Sequence, residues 1–133
     1  MPLSVSTHIV CHRSVNGLAF GISEDDLCEV LGRPEKAQRN YTGEVEYLYA
    51  GEIYRCFGGQ LVECTIPDVG RFTIDGVSIL SVFEWLEGCK GVVDKAKFRI
   101  STAHGIAYDF RDPSNGSITV FAEGRWDTLL LGS

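Results

Sequence analysis

The side chains able to do chemistry in this chain are few and scattered. Nucleophilic catalysis needs a Cys or Ser beside a histidine base with an acid to orient it, and the only histidines are His8, His12 and His104. His104 precedes Gly105 at an expected hairpin end, where a histidine is ordinary surface. His8 and His12 suggest a metal-binding pair, yet on a strand they stand about 13 Å apart at ~3.3 Å per residue, too far for one ion unless the chain turns. No G-x-S-x-G, H-E-x-x-H or Walker loop occurs, and Cys56-Phe57-Gly58-Gly59 reads as a hairpin turn. Acids such as Glu44, Glu46 and Asp109 could meet as a hydrolytic pair, although acids on a solvated sheet are usually only surface. No catalytic set, metal site or cofactor is expected.

The cysteines Cys11, Cys28, Cys56, Cys64 and Cys89 form no C-x-x-C pair, and their odd number argues against a disulfide framework. Free cysteine is ordinarily a small buried hydrophobe. With 18 acidic against 12 basic residues the formal charge is −6. Because nucleic-acid affinity comes from clustered Lys and Arg, a nucleic-acid partner is not expected; the charge favours a basic one. No apolar run approaches the ~20 residues a bilayer span needs, so no membrane partner is expected either. The N-terminus lacks a basic segment followed by an apolar one, which points to the cytoplasm.

What would position these groups is legible between Asn16 and Ile66. Ser23 is a good N-cap, and Glu24, Asp25 and Asp26 put negative charge at the positive end of a helix dipole. Ile22 can staple against Leu27, the stripe Leu27, Val30 and Leu31 continues one apolar face, and Gly32 with Pro34 ends it. A helix this short needs a bed. After a polar connector over residues 35–43, three apolar-rich runs follow, Glu44–Tyr49, Ile53–Phe57 and Leu61–Ile66, with breaks at Ala50-Gly51 and Gly58-Gly59 that suit hairpins.

The expected helix-covered face carries Val45, Tyr47, Tyr49, Ile53, Phe57, Val62, Cys64 and Ile66. That assignment requires a bulge near Gly51. The opposite face then shows Glu44, Glu46, Tyr54 and Glu63 around Leu48 and Leu61, an acidic surface with aromatic content of the kind protein interfaces favour.

A blurred version follows. Leu3–Val10 reads as a first strand and Arg71–Ile74 as another, before an Asp75-Gly76 turn. Val77-Ser78 repeats the staple and cap of Ile22-Ser23, with Ile79, Leu80, Val82, Phe83 and Leu86 as a helix stripe up to Gly88. Lys95–Ile100, Gly105–Phe110 and Ser117–Ala122 read as strands, and Leu129, Leu130 and Leu131 as a last strand or packed tail. The expectation is one α+β domain over residues 1–133, built from two degenerate αβββ units (16–66 and 75–122) whose antiparallel sheets are each covered by a short helix.

Gly21-Ile22-Ser23 opening a helix, Leu31-Gly32-x-Pro34 closing it, Glu46-Tyr47-x-Tyr49 and the Phe57-Gly58-Gly59-Gln60-Leu61-Val62 hairpin resemble a module of the small lipoproteins that assemble outer-membrane β-barrels. The module also occurs in bacterial cytosolic proteins similar to immunity proteins of contact-dependent or secreted toxin systems. The resemblance covers about the first half of the chain, and without an export signal or lipidated cysteine it is to the cytosolic branch. It implies an acidic binder, not an enzyme, that neutralises a cognate toxin or effector domain, with Glu24, Asp25, Asp26, Glu44, Glu46, Tyr54 and Glu63 as contact residues. Two other readings stay open: a small enzyme or ligand-binding protein using His104 between the two units, and an effector chaperone or adaptor.

Overall fold

A computed structural model describes residues 6–112 and 115–126. In chain order the elements are β1 (Ser6–Val10), β2 (Ser14–Val15), β3 (Leu18–Ala19), α1 (Glu24–Leu31), β4 (Lys36–Arg39), β5 (Val45–Tyr49), β6 (Glu52–Phe57), β7 (Gln60–Pro67), β8 (Arg71–Ile74), β9 (Val77–Ile79), α2 (Val82–Glu87), β10 (Val93–Lys95), β11 (Phe98–Ser101), β12 (Ile106–Asp109) and β13 (Ser117–Phe121). The fold is of the α+β type and mostly strand.

Two-residue hairpins set the strand registers. The turns Asn16-Gly17, Ala50-Gly51, Gly58-Gly59, Asp75-Gly76 and Ala96-Lys97 all hold positive φ at both central residues, the twist-matched conformation for short antiparallel hairpins. The expected units do not form separate sheets. All strands of both meanders join one antiparallel eight-stranded sheet in the order β10-β11-β12-β13-β7-β6-β5-β4. The joint is β7 against β13, with Thr65 opposite Thr119 and Cys64 opposite Val120. A second sheet, β3-β2-β1-β8-β9, pairs β1 with β8 in parallel and so also ties early chain to late chain.

Each helix is followed by four strands, not three. The extra strand in the first half is β4, expected to be connector because its four side chains are all exposed and carry no alternation. In the second half Lys95–Ile100 is two strands, turning at Ala96-Lys97 where no glycine marks the turn. The α2 cap also differs from expectation: Val77-Ser78 lies in β9, and Ser81 Oγ accepts from the Glu84 N–H, leaving Leu80 fully exposed. The first helix starts where expected, Ser23 Oγ accepting from the Asp26 N–H, and Gly32 closes it on the Cys28 carbonyl. Residues 3–5 of the first expected strand and the apolar run 129–131 lie outside the described residues.

The main core fills the space between the eight-stranded sheet and a layer made of both helices and the second sheet. Leu27 of α1, Val82 and Leu86 of α2, and Ile9, Phe72 and Ile74 of the second sheet meet Tyr54, Cys56, Leu61, Cys64, Ile66, Ile106, Ile118 and Val120. This corrects the expected faces. Ala50-Gly51 is a regular turn without a bulge, so Tyr47 lies opposite Tyr54 and both point inward. The register shift falls between Arg55 and Cys56 instead, where Cys56 faces Leu61 and Arg55 faces Glu63, leaving Val62 as the extra residue. Leu61 is therefore core, and Ile53 and Phe57 turn outward with Arg55.

The Ala96-Lys97 turn is the cheapest strain to relieve. Replacing it with Asn-Gly, residues that tolerate positive φ, is expected to raise the unfolding free energy by about 1 kcal/mol, read as a shifted denaturant midpoint at unchanged slope.

Candidate functional site

The outer face of the eight-stranded sheet carries an ion-pair network that the bulge makes possible. With Val62 bulged, Glu46, Arg55 and Glu63 stand in one cross-strand row. Arg55 Nε donates to Glu46 at 2.8 Å, and its Nη1 donates to Glu63 at 2.8 Å and to Thr65 Oγ1 at 2.7 Å. Trp126 stacks on Phe121 and donates its indole N–H to the other oxygen of Glu63 at 2.6 Å. Arg125 pairs with Glu44, which also accepts from Asn40. Farther along, Arg111 grips Asp109 through two nitrogens and lies over Phe98.

Between these pairs runs a groove of about 310 Å³, floored by Thr65, Ser117 and Thr119 across the β7–β13 joint and flanked by Arg55 and Arg111. The charges that line it are paired within the molecule, Glu63 with Arg55 and Asp109 with Arg111. Burial works against ionising Glu46, but hydrogen bonds from Gln38 and Arg55 and the Arg55 charge outweigh it and hold its carboxyl below the usual range. Arg111's hydrogen bonds lower Asp109 in the same way. Both stay ionised at neutral pH and serve as acceptors.

Several expected contact residues are therefore not open to a partner. Tyr54 is 2% exposed in the core, its hydroxyl satisfied by Glu52. Glu44 and Glu63 are buried at 9% and 7% exposure, because their arginine partners and Trp126 cover them. Glu46 is half-buried against Arg55. The helix acids behave differently. Glu24 accepts from the Tyr47 hydroxyl at 2.5 Å, whereas Asp25, Asp26 and Glu29 are exposed, and no base pairs with them among the described residues.

The acidic turn of α1 is held in place by backbone, not by side chains alone. Glu24 N–H donates to the Gly59 carbonyl, Gly21 N–H to the Leu61 carbonyl, and Leu61 N–H to the Ile22 carbonyl. This stitches the helix start to the Gly58-Gly59 hairpin. Beside that hairpin Phe57 is half exposed and lies next to Gly43 in the β4–β5 loop, where Tyr41 is fully exposed. Asp25, Asp26 and Glu29 thus stand exposed on the helix, while Phe57, with the Arg125 guanidinium 5.4 Å from its ring centroid, and Tyr41 are exposed on the neighbouring strand end and loop.

The three histidines have separate partners. His104 Nδ1 bonds Ser101 Oγ and its ring meets Trp85 edge-on, with no carboxylate partner among the described residues; His8 bonds Thr73 and His12 the Ala103 carbonyl. No group of potential metal ligands occurs among the described residues. The cysteines are free, and burial pushes the Cys56 thiol up to about 12 and that of Cys64 higher still. No described helix is long and apolar enough to cross a membrane. Comparison with protein-family profiles, curated proteins and solved structures gives no match for this chain.

Sequence reasoning missed Arg55 as the centre of the outer network. The available signal was its position as the lone base of Glu52–Phe57, with a glutamate on each neighbouring strand able to lie opposite it. Arg55→Ala removes the counter-charge of two largely buried carboxylates and is expected to cost about 3 kcal/mol of stability; adding Glu46→Gln and Glu63→Gln should recover most of that loss. The contribution of Glu46 is present above the unfolded glutamate pKa of ~4.3 and is lost as pH falls through its lower folded value. Glu46→Gln and the parent chain should thus converge in denaturation midpoint in acid.

Proposed function

We propose that this chain is an immunity protein, which binds a cognate bacterial toxin domain and neutralises it. The observation that carries the reading is the rim formed by the start of α1, where Asp25, Asp26 and Glu29 are exposed with no base paired to them among the described residues, while the rings of Phe57, beside the Gly58-Gly59 hairpin, and of Tyr41, in the β4–β5 loop, are also exposed. An acidic patch on a helix bonded by backbone to a hairpin suits a basic protein surface such as the substrate cleft of a nuclease, where carboxylates can stand in for phosphates. The charges speed encounter, and burial of the rings slows release. The net charge of −6 and the likeness of the Gly21–Val62 segment to toxin-neutralising proteins support the same reading.

In this view the arginine-paired carboxylates of the outer face, Glu44, Glu46 and Glu63, hold the sheet while the helix acids meet the partner. The recurrence of a helix followed by a four-strand meander supports an origin by duplication, the first helix opening on three acids and the second on Glu84 alone. The reading places the protein in the cytoplasm with its toxin, needing no cofactor.

The test is co-expression with the toxin-bearing protein encoded beside this gene, together with binding kinetics against its isolated toxin domain. The parent chain should restore growth and associate more slowly as salt rises. Asp25→Lys, Asp26→Lys and Glu29→Lys together should lower the low-salt association rate at least about tenfold, and Phe57→Ala with Tyr41→Ala should mainly speed dissociation. Protection and rates indifferent to salt and to the charge reversal would contradict the assignment of this rim.

A further inference from the structure

The groove over the β7–β13 joint, about 310 Å³, lies at the lower end of the range for small-ligand sites. It opens on the face of the sheet opposite the one that α1 covers. Its floor carries hydrogen-bond donors that the protein does not use. Thr65 Oγ1 accepts from Arg55 Nη1 at 2.7 Å and stands 2.9 Å from Thr119 Oγ1. Two hydroxyls that share one hydrogen bond hold two hydrogens, so whichever of them donates, the other's hydrogen has no acceptor among the described residues. With Thr119 only 6% exposed, that pair is fixed at the bottom of the groove. Ser117, two residues back along β13 on the same face, lies opposite Pro67, which has no side-chain group to bond it, and its hydroxyl has no partner among the described residues. Arg55 gives Nε and Nη1 to its partners, while Nη2 donates to none of the described residues.

Charge decides what can accept from these donors. Arg55 stands between Glu46 and Glu63, and Arg111 against Asp109, so two guanidiniums meet three carboxylates. An anion gains no net attraction there, and a cation finds each carboxylate already held by an arginine. An uncharged ligand fits better if its oxygens both accept and donate: it takes the floor's O–H and N–H groups and returns its own hydrogens to lone pairs left on the carboxylates. Hydroxyl groups on a ring have that double character. Phe98 and Trp126 complete the lining. Arg111 lies over one and the other is stacked on Phe121, so they serve as an apolar wall for C–H groups and not as a stacking platform.

We infer that this groove binds a neutral sugar ring, its hydroxyls seated on Ser117 and the Thr65–Thr119 pair between the Arg55–Glu63 and Arg111–Asp109 ion pairs. The site goes beyond toxin neutralisation, and its test needs no toxin, so either assignment can fail alone. Amide NMR spectra of the intact chain would be recorded while adding methyl β-D-glucopyranoside, methyl β-D-galactopyranoside or N-acetyl-D-glucosamine. The controls are D-glucuronate, which adds a negative charge, and tetrahydropyran, the same ring without hydroxyls.

The expected result is saturable, millimolar-range shifts centred on Thr65, Ser117, Thr119 and the Trp126 indole N–H with at least one neutral sugar, weaker ones with glucuronate and none with tetrahydropyran. Ser117→Ala should weaken binding about fivefold, the ordinary worth of one neutral hydrogen bond, and Ser117→Thr should retain it. Thr65→Val with Thr119→Val, which replaces both members of the pair by apolar groups of the same shape, should weaken binding by a similar factor. Each variant is first shown to keep the parent spectrum elsewhere. No saturable shift with any neutral sugar, equal shifts with tetrahydropyran, tighter binding of glucuronate, or affinity unchanged both in Ser117→Ala and in the double valine variant would overturn the assignment.

Discussion

The structure depends on one antiparallel ladder, β7 against β13. Both strands are central, so every side chain on them must fit either the core or the outer face. Cys64, Ile66, Ile118 and Val120 fill the core side, while Thr65 and Thr119 share a 2.9 Å hydroxyl contact on the other. Through this ladder the two meanders become one sheet, and that single sheet gives the two helices a common bed. The parallel β1–β8 pair makes a second tie between early and late chain on the opposite side of the core. Neither helix, of eight and six residues, could persist without that support.

The same sheet divides the acidic residues by role. On its outer face a one-residue bulge at Val62 brings Glu63 opposite Arg55, and the carboxylates there are matched by guanidiniums, hydroxyls and the Trp126 indole. Such pairs add modest net stability over an apolar alternative, but breaking one leaves a buried charge that is costly. Their value is in fixing the register that places Leu61 in the core. On α1 only Glu24 is tied to the sheet among the described residues, through the Tyr47 hydroxyl, while Asp25, Asp26 and Glu29 are exposed. They sit on a helix start bonded by backbone to a hairpin, which presents charge on a rigid support and reduces the ordering cost of binding.

Where the sequence was legible, a local rule and the packing agreed. Ser23, the acidic first turn, Leu27 and Gly32 specify α1 within a few residues, and glycine turns mark the β5–β6 and β6–β7 hairpins. The errors came where non-local pairing decides. Alternation along Leu61–Ile66 cannot reveal that Val62 is unpaired, and one misplaced bulge was enough to send Tyr54 and Leu61 to the wrong face. Ala96-Lys97 turns without a glycine, and β4 has four exposed side chains, so neither shows in a hydrophobic pattern. The joining of the two meanders rests on a ladder between residues far apart in the chain. The acidic helix of the candidate site was visible from the start; the exposure of Phe57 and Tyr41 was not, because which rings face water follows from the register.

Native-state hydrogen exchange in rising denaturant tests the central claim most directly. If β7 and β13 weld the meanders into one cooperative unit, the slowest amides of β5–β7 and of β11–β13 will merge onto a single opening of the same free energy and the same denaturant slope. Exchange of one meander through a distinctly lower opening, while the other stays protected, would mean that the ladder does not unite them.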